Sequence, residues 1–175
     1  MAIVWGKMAM PISRGSGLFA LALVSATPAL CKVPPKVVVG EMAPAFELSL
    51  VDGTKVKSTE LLGKVVVLNY WATWCGPCKT ELPLLNGYYK IQQGNGLRVF
   101  AITTEDSLPI PTLRKLFAAM AIPAVRNVKG DYKILGGLPT NYIIDRRGRV
   151  RFAKAAAFNL DDLNRELVPL LQESP

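Results

Sequence analysis

Val65-Val66-Val67-Leu68-Asn69-Tyr70-Trp71-Ala72-Thr73-Trp74-Cys75-Gly76-Pro77-Cys78-Lys79-Thr80-Glu81-Leu82-Pro83 is the stretch that decides the fold. Its first four residues form a short β-branched apolar run, the pattern of a buried strand. After Cys78 the apolar positions fall at Leu82, Leu84, Leu85, Tyr88 and Tyr89, which is helical spacing. The two cysteines therefore stand where a strand ends and a helix begins. The first N–H groups of a helix lack intrahelical partners, and the macrodipole puts partial positive charge there. A thiolate at Cys75 is stabilised by both, so its pKa should fall below the free value of about 8.5. Cys78 lies one helical turn further on the same face. One sulfur can attack a disulfide and the other can resolve the mixed disulfide that results. Pro77 suits the first turn, where its missing N–H costs nothing.

Other uses of a Cys-x-x-Cys pair fit less well. A structural zinc site needs four ligands, mostly Cys and His; this chain has no His and one further cysteine, Cys31. Haem attachment needs His after the second cysteine, where Lys79 stands. An inert disulfide closing so short a loop stabilises little. No cofactor and no metal is expected.

Trp74-Cys75-Gly76-Pro77-Cys78 resembles the thioredoxin active-site motif, and the lead-in Leu68–Trp74 resembles the TlpA/ResA branch of that superfamily. Pro83 matches the branch's helix proline, and Leu138-Pro139-Thr140 its cis-proline loop; the likeness spans roughly Val39 to Leu171. The resemblance implies an α/β thioredoxin fold. Its central mixed sheet would be flanked by helices, with an N-terminal β-hairpin extension and a βα insertion. It implies a thiol-disulfide oxidoreductase in which Cys75 attacks and Cys78 resolves. Trp74, Gly76, Pro77, Leu138 and Pro139 would line the substrate groove. Leu138 would offer β-like hydrogen bonds to an extended chain, while Pro139 would shield the sulfurs.

Thioredoxins themselves carry a buried Asp at the position of Asn69, which cannot titrate. The TlpA/ResA branch instead places Glu three residues after the second cysteine, the position of Glu81. On a helix Cys78 and Glu81 share a face. A desolvated carboxyl there would have a raised pKa and could exchange a proton with Cys78. The competing reading is that Glu81 merely complements the helix N-terminus.

The resemblance also implies partners: disulfide-bearing protein substrates, of the apocytochrome c or copper-site type, and a membrane electron donor relaying thioredoxin electrons outward. The Gly76-Pro77 dipeptide resembles that of the reducing thioredoxins, which implies a reductant. The rival readings are a disulfide-introducing oxidant, a thiol peroxidase of peroxiredoxin type and a copper-thiolate carrier. The peroxidase needs a Thr-x-x-Cys spacing, and Thr73 is only two residues before Cys75.

Upstream, Lys7 and Arg14 precede the apolar run Leu18–Val24 and the small residues Ser25, Ala26, Thr27 and Ala29. This is the pattern of a secretory signal peptide, with cleavage expected near Ala29 or at Ala26. Export to the periplasm or cell exterior follows. The stretch Leu18–Leu30 contains Pro28 and is shorter than the roughly 20 residues of a spanning helix; a retained anchor is the alternative. Cys31 fits a lipidation site poorly and reads as a spare cysteine. Residues 1–29 form the expected leader, 30–38 a Pro-rich linker and 39–175 the domain.

The net charge is +8, which raises nucleic-acid binding. The basic residues are scattered, however, and an exported protein seldom meets nucleic acid, so none is expected; nor is an oligomer. The cluster Arg146-Arg147-Gly148-Arg149-Val150-Arg151 reads as a solvated hairpin. Elsewhere, Glu47–Leu50 with an Asp52-Gly53 turn predicts a small hairpin, and Ser58–Gly63 a short capped helix. A strand is predicted over Gly96–Thr103 and a helix over Pro109–Met120 with Leu113, Leu116, Phe117 and Met120 inward. Further on, the predictions are an extended piece at Ala124–Asn127 and a short helix at Tyr132–Gly137. Strands at Asn141–Asp145 and Arg149–Ala153 come next, then an amphipathic closing helix over Asn159–Gln172, disturbed at Pro169.

Overall fold

The structure is a computed structural model and describes residues 1–2 and 36–174. The predicted leader, its cleavage site and Cys31 lie outside the described residues.

Seven strands make one sheet: β1 (Glu47–Leu50), β2 (Lys55–Lys57), β3 (Val65–Trp71), β4 (Leu97–Thr103), β5 (Ala124–Lys129), β6 (Thr140–Ile144) and β7 (Val150–Ala155). Their order is β2-β1-β5-β4-β3-β6-β7. The parallel core β5-β4-β3 is extended by antiparallel β6 and β7 on one side and by antiparallel β1 and β2 on the other. The helices are α1 (Gly76–Gln92), α2 (Arg114–Ala119) and α3 (Leu160–Gln172). No helix among the described residues is long and apolar enough to cross a membrane.

β3 holds an interior place in the sheet because it can be buried on both faces. All seven of its residues are buried, as expected of an apolar run in a parallel sheet. Val65, Val67 and Trp71 point into the cluster built with Leu82, Leu85 and Tyr88 of α1 and Leu163, Leu167 and Leu170 of α3. Val66, Leu68 and Tyr70 point the other way, where Phe46, Leu48, Leu61 and Tyr132 cover the sheet. The helices thus stack on one face. The N-terminal extension and the loop before β6 close the other.

Several expectations need correction. Tyr132–Gly137 forms no helix. Its backbone polar groups are taken by side chains from β6: Lys133 N–H donates to the Tyr142 hydroxyl, and Leu135 N–H donates to Thr140 Oγ1. The Thr140 hydroxyl donates to Gly137 O, and the Tyr142 hydroxyl to Lys133 O. With those groups engaged, the i→i+4 ladder cannot form.

Ser58–Leu61 is a 3-10 turn with no side-chain cap; Ser58 Oγ instead accepts from Phe46 N–H at 3.2 Å. Pro109–Met120 splits into a 3-10 turn, Ile110–Leu113, and the short α2, and Leu116 is exposed. The closing helix starts at an Asn159–Asp162 capping box and runs through Pro169 to Gln172. Pro169 is exposed and does not end it.

Nor is the arginine cluster a uniformly solvated hairpin. Arg146 turns inward and donates to four backbone carbonyls: Asn95 and Leu171 at 2.8 Å, Gly63 at 2.9 Å and Leu170 at 3.3 Å. It therefore ties the end of α3 to the loops entering β3 and β4. Gly96 makes this approach possible: at φ +91° a Cβ would lie 2.9 Å from the Arg146 guanidinium. Arg151 pairs with the buried Asp145 at 3.2 Å.

Candidate active site

β3 delivers the chain to the C-terminal end of the parallel strands, and α1 begins there. Cys75 is the N-cap of α1, with extended backbone (φ −76°, ψ 108°), and its Sγ accepts the Cys78 N–H at 3.2 Å. This is the sulfur that the unsatisfied N–H groups of the helix start would stabilise as a thiolate. Cys75 and Cys78 are joined as a disulfide with their Cα atoms 5.3 Å apart. Both are buried, yet the flanking Trp74, Gly76 and Pro77 are exposed, Trp74 by 58%.

The strand register places the proline loop beside them. β3 pairs with β6 up to Tyr70↔Thr140. Pro139 thus stands one step beyond the ladder, level with Trp71, and Leu138 level with Ala72. The Leu138–Pro139 bond is cis. Pro139 is buried, and Leu138 is half-buried against the cluster that contains both cysteines. Neither residue belongs to the sheet.

Glu81 does not sit at the helix terminus as a solvated complement to the dipole. It points from α1 onto the sheet and is 1% exposed. Oε2 accepts from Asn69 Nδ2 at 2.8 Å; Oε1 accepts from Asn141 Nδ2 and from Phe158 N–H, both at 2.8 Å. Burial pushes its pKa up, opposed by the hydrogen bonds from Phe158, Asn141 and Asn69. The carboxyl lies on the helix that carries Cys78, three residues along. Asn141 and the Phe158 backbone were missed in the sequence reading. A signal existed: Asn69 and Asn141 are the polar interruptions of two apolar strands and are directly paired in the register.

Thr73 fixes a second loop at the site. Its Oγ1 accepts from Ser107 Oγ at 3.3 Å and from Leu108 N–H at 3.2 Å, while its N–H donates to Ser107 Oγ at 3.1 Å. Leu108, half exposed, is thereby held against Thr73, which stands two residues before Cys75. Beyond it, a cavity of about 530 Å³ opens at the C-terminal ends of β3 and β4. Its walls include Tyr70, Thr104, Asp106, Arg126, Lys133 and Ile134. A larger depression of about 610 Å³ lies at the other end of the sheet around Gly96 and Arg146 and contains none of the site residues.

Residues 39–153 match the model of the AhpC/TSA family. The chain is 33% identical over 135 residues to thiol-disulfide oxidoreductase ResA of Geobacillus thermodenitrificans (strain NG80-2), covering 75% of this chain and 77% of that protein. It is 34% identical over 133 residues to ResA of Oceanobacillus iheyensis, covering 71% and 69%. Among solved structures, a thioredoxin-family thiol:disulfide interchange protein from Chlorobium tepidum TLS superposes with a TM-score of 0.63 at 25% identity, covering 74% of this chain and 95% of that one. The chain belongs to the AhpC/TSA family of thioredoxin-like proteins and is a ResA-like thiol-disulfide oxidoreductase.

Proposed function

We propose that this protein reduces disulfides of extracytoplasmic protein substrates. The reading is carried by Cys75 Sγ at the start of α1, accepting the Cys78 N–H. In the reduced enzyme the Cys75 thiolate attacks one sulfur of a substrate disulfide. The substrate S–S bond breaks, a mixed disulfide forms, and one substrate thiolate leaves. Cys78 then loses its proton and attacks Cys75 Sγ, releasing the second substrate thiolate and closing the Cys75–Cys78 bond. Two electrons have passed from the enzyme dithiol to the substrate. Glu81 takes up the Cys78 proton, its raised proton affinity suiting it to that task.

Trp74, Gly76, Pro77, Leu138 and Pro139 receive the substrate chain. Leu138 and Pro139 lie just outside the ladder, so Leu138 can pair with an extended peptide in β fashion. Substrates of the apocytochrome c or copper-site type fit this reading, as does a membrane donor that returns electrons to the disulfide. The leader pattern of the first 29 residues supports export, by cleavage or as an anchor. Domain bounds at residues 30–38 and 39–175 are part of the same proposal. Against a peroxidase, the Thr73 hydroxyl is occupied by Ser107 and Leu108.

The test is the reduction potential of the Cys75–Cys78 pair in glutathione and dithiothreitol buffers, with turnover of a disulfide-bonded protein. A potential of about −250 mV or lower supports a reductant. A potential near −120 mV would make the protein a disulfide-introducing oxidant.

A further inference from the structure

We infer that Asn69 and Asn141 are positioning residues for Glu81: a paired amide clamp that presents only donors to its carboxylate and so sets how tightly it holds a proton. The inference deepens the proposed role of Glu81 and rests on it.

The two asparagines are register partners on β3 and β6, and both are fully buried on the α1 side of the sheet. Each amide nitrogen makes two contacts, which fix the orientation of the side chain. Asn141 Nδ2 donates to Glu81 Oε1 at 2.8 Å and to Ala156 O at 2.9 Å. Asn69 Nδ2 donates to Glu81 Oε2 and to Asn141 Oδ1, both at 2.8 Å. Which end of an amide is oxygen is assigned from such a network, and here the network leaves one choice. Ala156 O and Phe158 N–H are backbone groups of fixed polarity. Ala156 O requires the Asn141 nitrogen, so Asn141 Oδ1 faces Asn69 and requires its nitrogen in turn. Turning Asn69 over would set two amide oxygens against each other.

Consequently Glu81 faces three N–H donors and no acceptor. A carboxylate accepts all three with its full charge, which makes these bonds stronger than those to the neutral acid, and three of its roughly four lone-pair sites are then filled. Oε2 has one donor and Oε1 has two, so the open site that takes the proton is on Oε2. The groups that hydrogen-bond to Glu81 from β3, β6 and the loop before α3 are all neutral; on α1 itself the nearby titratable group is Cys78. The remaining acceptor of the clamp, Asn69 Oδ1, is buried and has no partner among the described residues. A buried unmade hydrogen bond is costly. The clamp accepts that cost to keep the Asn69 nitrogen on the carboxylate.

The experiment uses the disulfide form, in which neither cysteine titrates and the carboxyl is read alone. The Glu81 side-chain carbonyl carbon is followed by NMR against pH in the ¹³C-labelled protein. Asn69→Leu and Asn141→Leu each remove one donor and should raise the midpoint by about one to two pH units, the worth of one hydrogen bond to a charged group. Asn69→Ser keeps a hydroxyl donor and should raise it less. If one leucine variant does not fold, the other and the serine variant still decide. An unchanged midpoint in every folded variant, or Asn69→Ser shifting as far as Asn69→Leu, would overturn the clamp.

A second readout separates this from the role of Glu81. In the reduced protein, the pH profile of the Cys78 resolving step should move in the same direction in the same variants. If the NMR midpoint moves and that profile does not, the clamp stands and Glu81 is not the proton acceptor.

Discussion

Removing Arg146 should cost about 3 kcal/mol of stability, although the residue sits in a turn of basic sequence. Four carbonyls accept from its guanidinium. The contact to Asn95 O is exposed, so water can replace it, and that to Leu170 O is long at 3.3 Å. Gly63 O at 2.9 Å and Leu171 O at 2.8 Å remain, both half-buried. A hydrogen bond to a charged group contributes about 1.5–3 kcal/mol. Partial exposure puts these two at the low end, which gives the total of about 3 kcal/mol for Arg146→Met. Arg146→Lys keeps the charge but not the fork. An ammonium can reach one of the carbonyl groups at a time, so the loss should still be about 1.5 kcal/mol. Urea unfolding of the disulfide form measures both, and Arg146→Met should melt about 10 °C lower. A loss below about 0.5 kcal/mol in Arg146→Met, the usual size for a surface site, would refute the reasoning. It would mean that water serves those carbonyls as well as the guanidinium does.

Other outcomes follow from the site. Cys78→Ser should accumulate a mixed disulfide with a protein substrate, visible on a non-reducing gel, while Cys75→Ser should form none. Glu81→Gln should slow resolution of that species by about 100-fold, the lower end for general acid–base catalysis, and leave its formation by Cys75 unchanged in stopped-flow traces. The raised proton affinity of Glu81 also makes a stability prediction. Its folded pKa lies above the unfolded value of about 4.3, so its favourable contribution is complete below that value. The contribution is lost as pH rises through the folded pKa. Urea midpoints of the disulfide form should fall across that window, and Glu81→Gln should flatten the fall. Thr73→Val removes the acceptor that holds Leu108; it should raise KM for a protein substrate and leave the rate with a small disulfide unaltered, as steady-state kinetics would show.

Much of the fold can be read locally because its signals are local. The strand-to-helix junction at Cys75 rests on an apolar run, a proline in the first helical turn and helical spacing after it. These survive in any context that buries the run. The β1–β2 hairpin follows from alternation around Asp52-Gly53. Where a reading failed, a distant group outcompeted the local preference. Tyr132–Gly137 has a helix-compatible pattern, but Tyr142 and Thr140 reach back and take its backbone partners. Arg146 belongs to a string of basic residues that looks solvated. Only the meeting of α3, β3 and β4 supplies carbonyls for it to bind.

The same division holds at the active site. Sequence alone determined the redox pair, because the strand-to-helix junction that holds Cys75 and Cys78 is written in neighbouring residues. It also marked Glu81, by spacing from Cys78, and Pro139, by the run that follows it. Tertiary structure decided what Glu81 is. Asn69, Asn141 and Phe158 lie 12, 60 and 77 residues away. They converge on one carboxylate because β3 and β6 pair in a register that sets the two asparagines side by side beneath α1. Hydrogen bonds act over about 3 Å, so a network whose members are scattered along the chain exists only once the sheet has assembled.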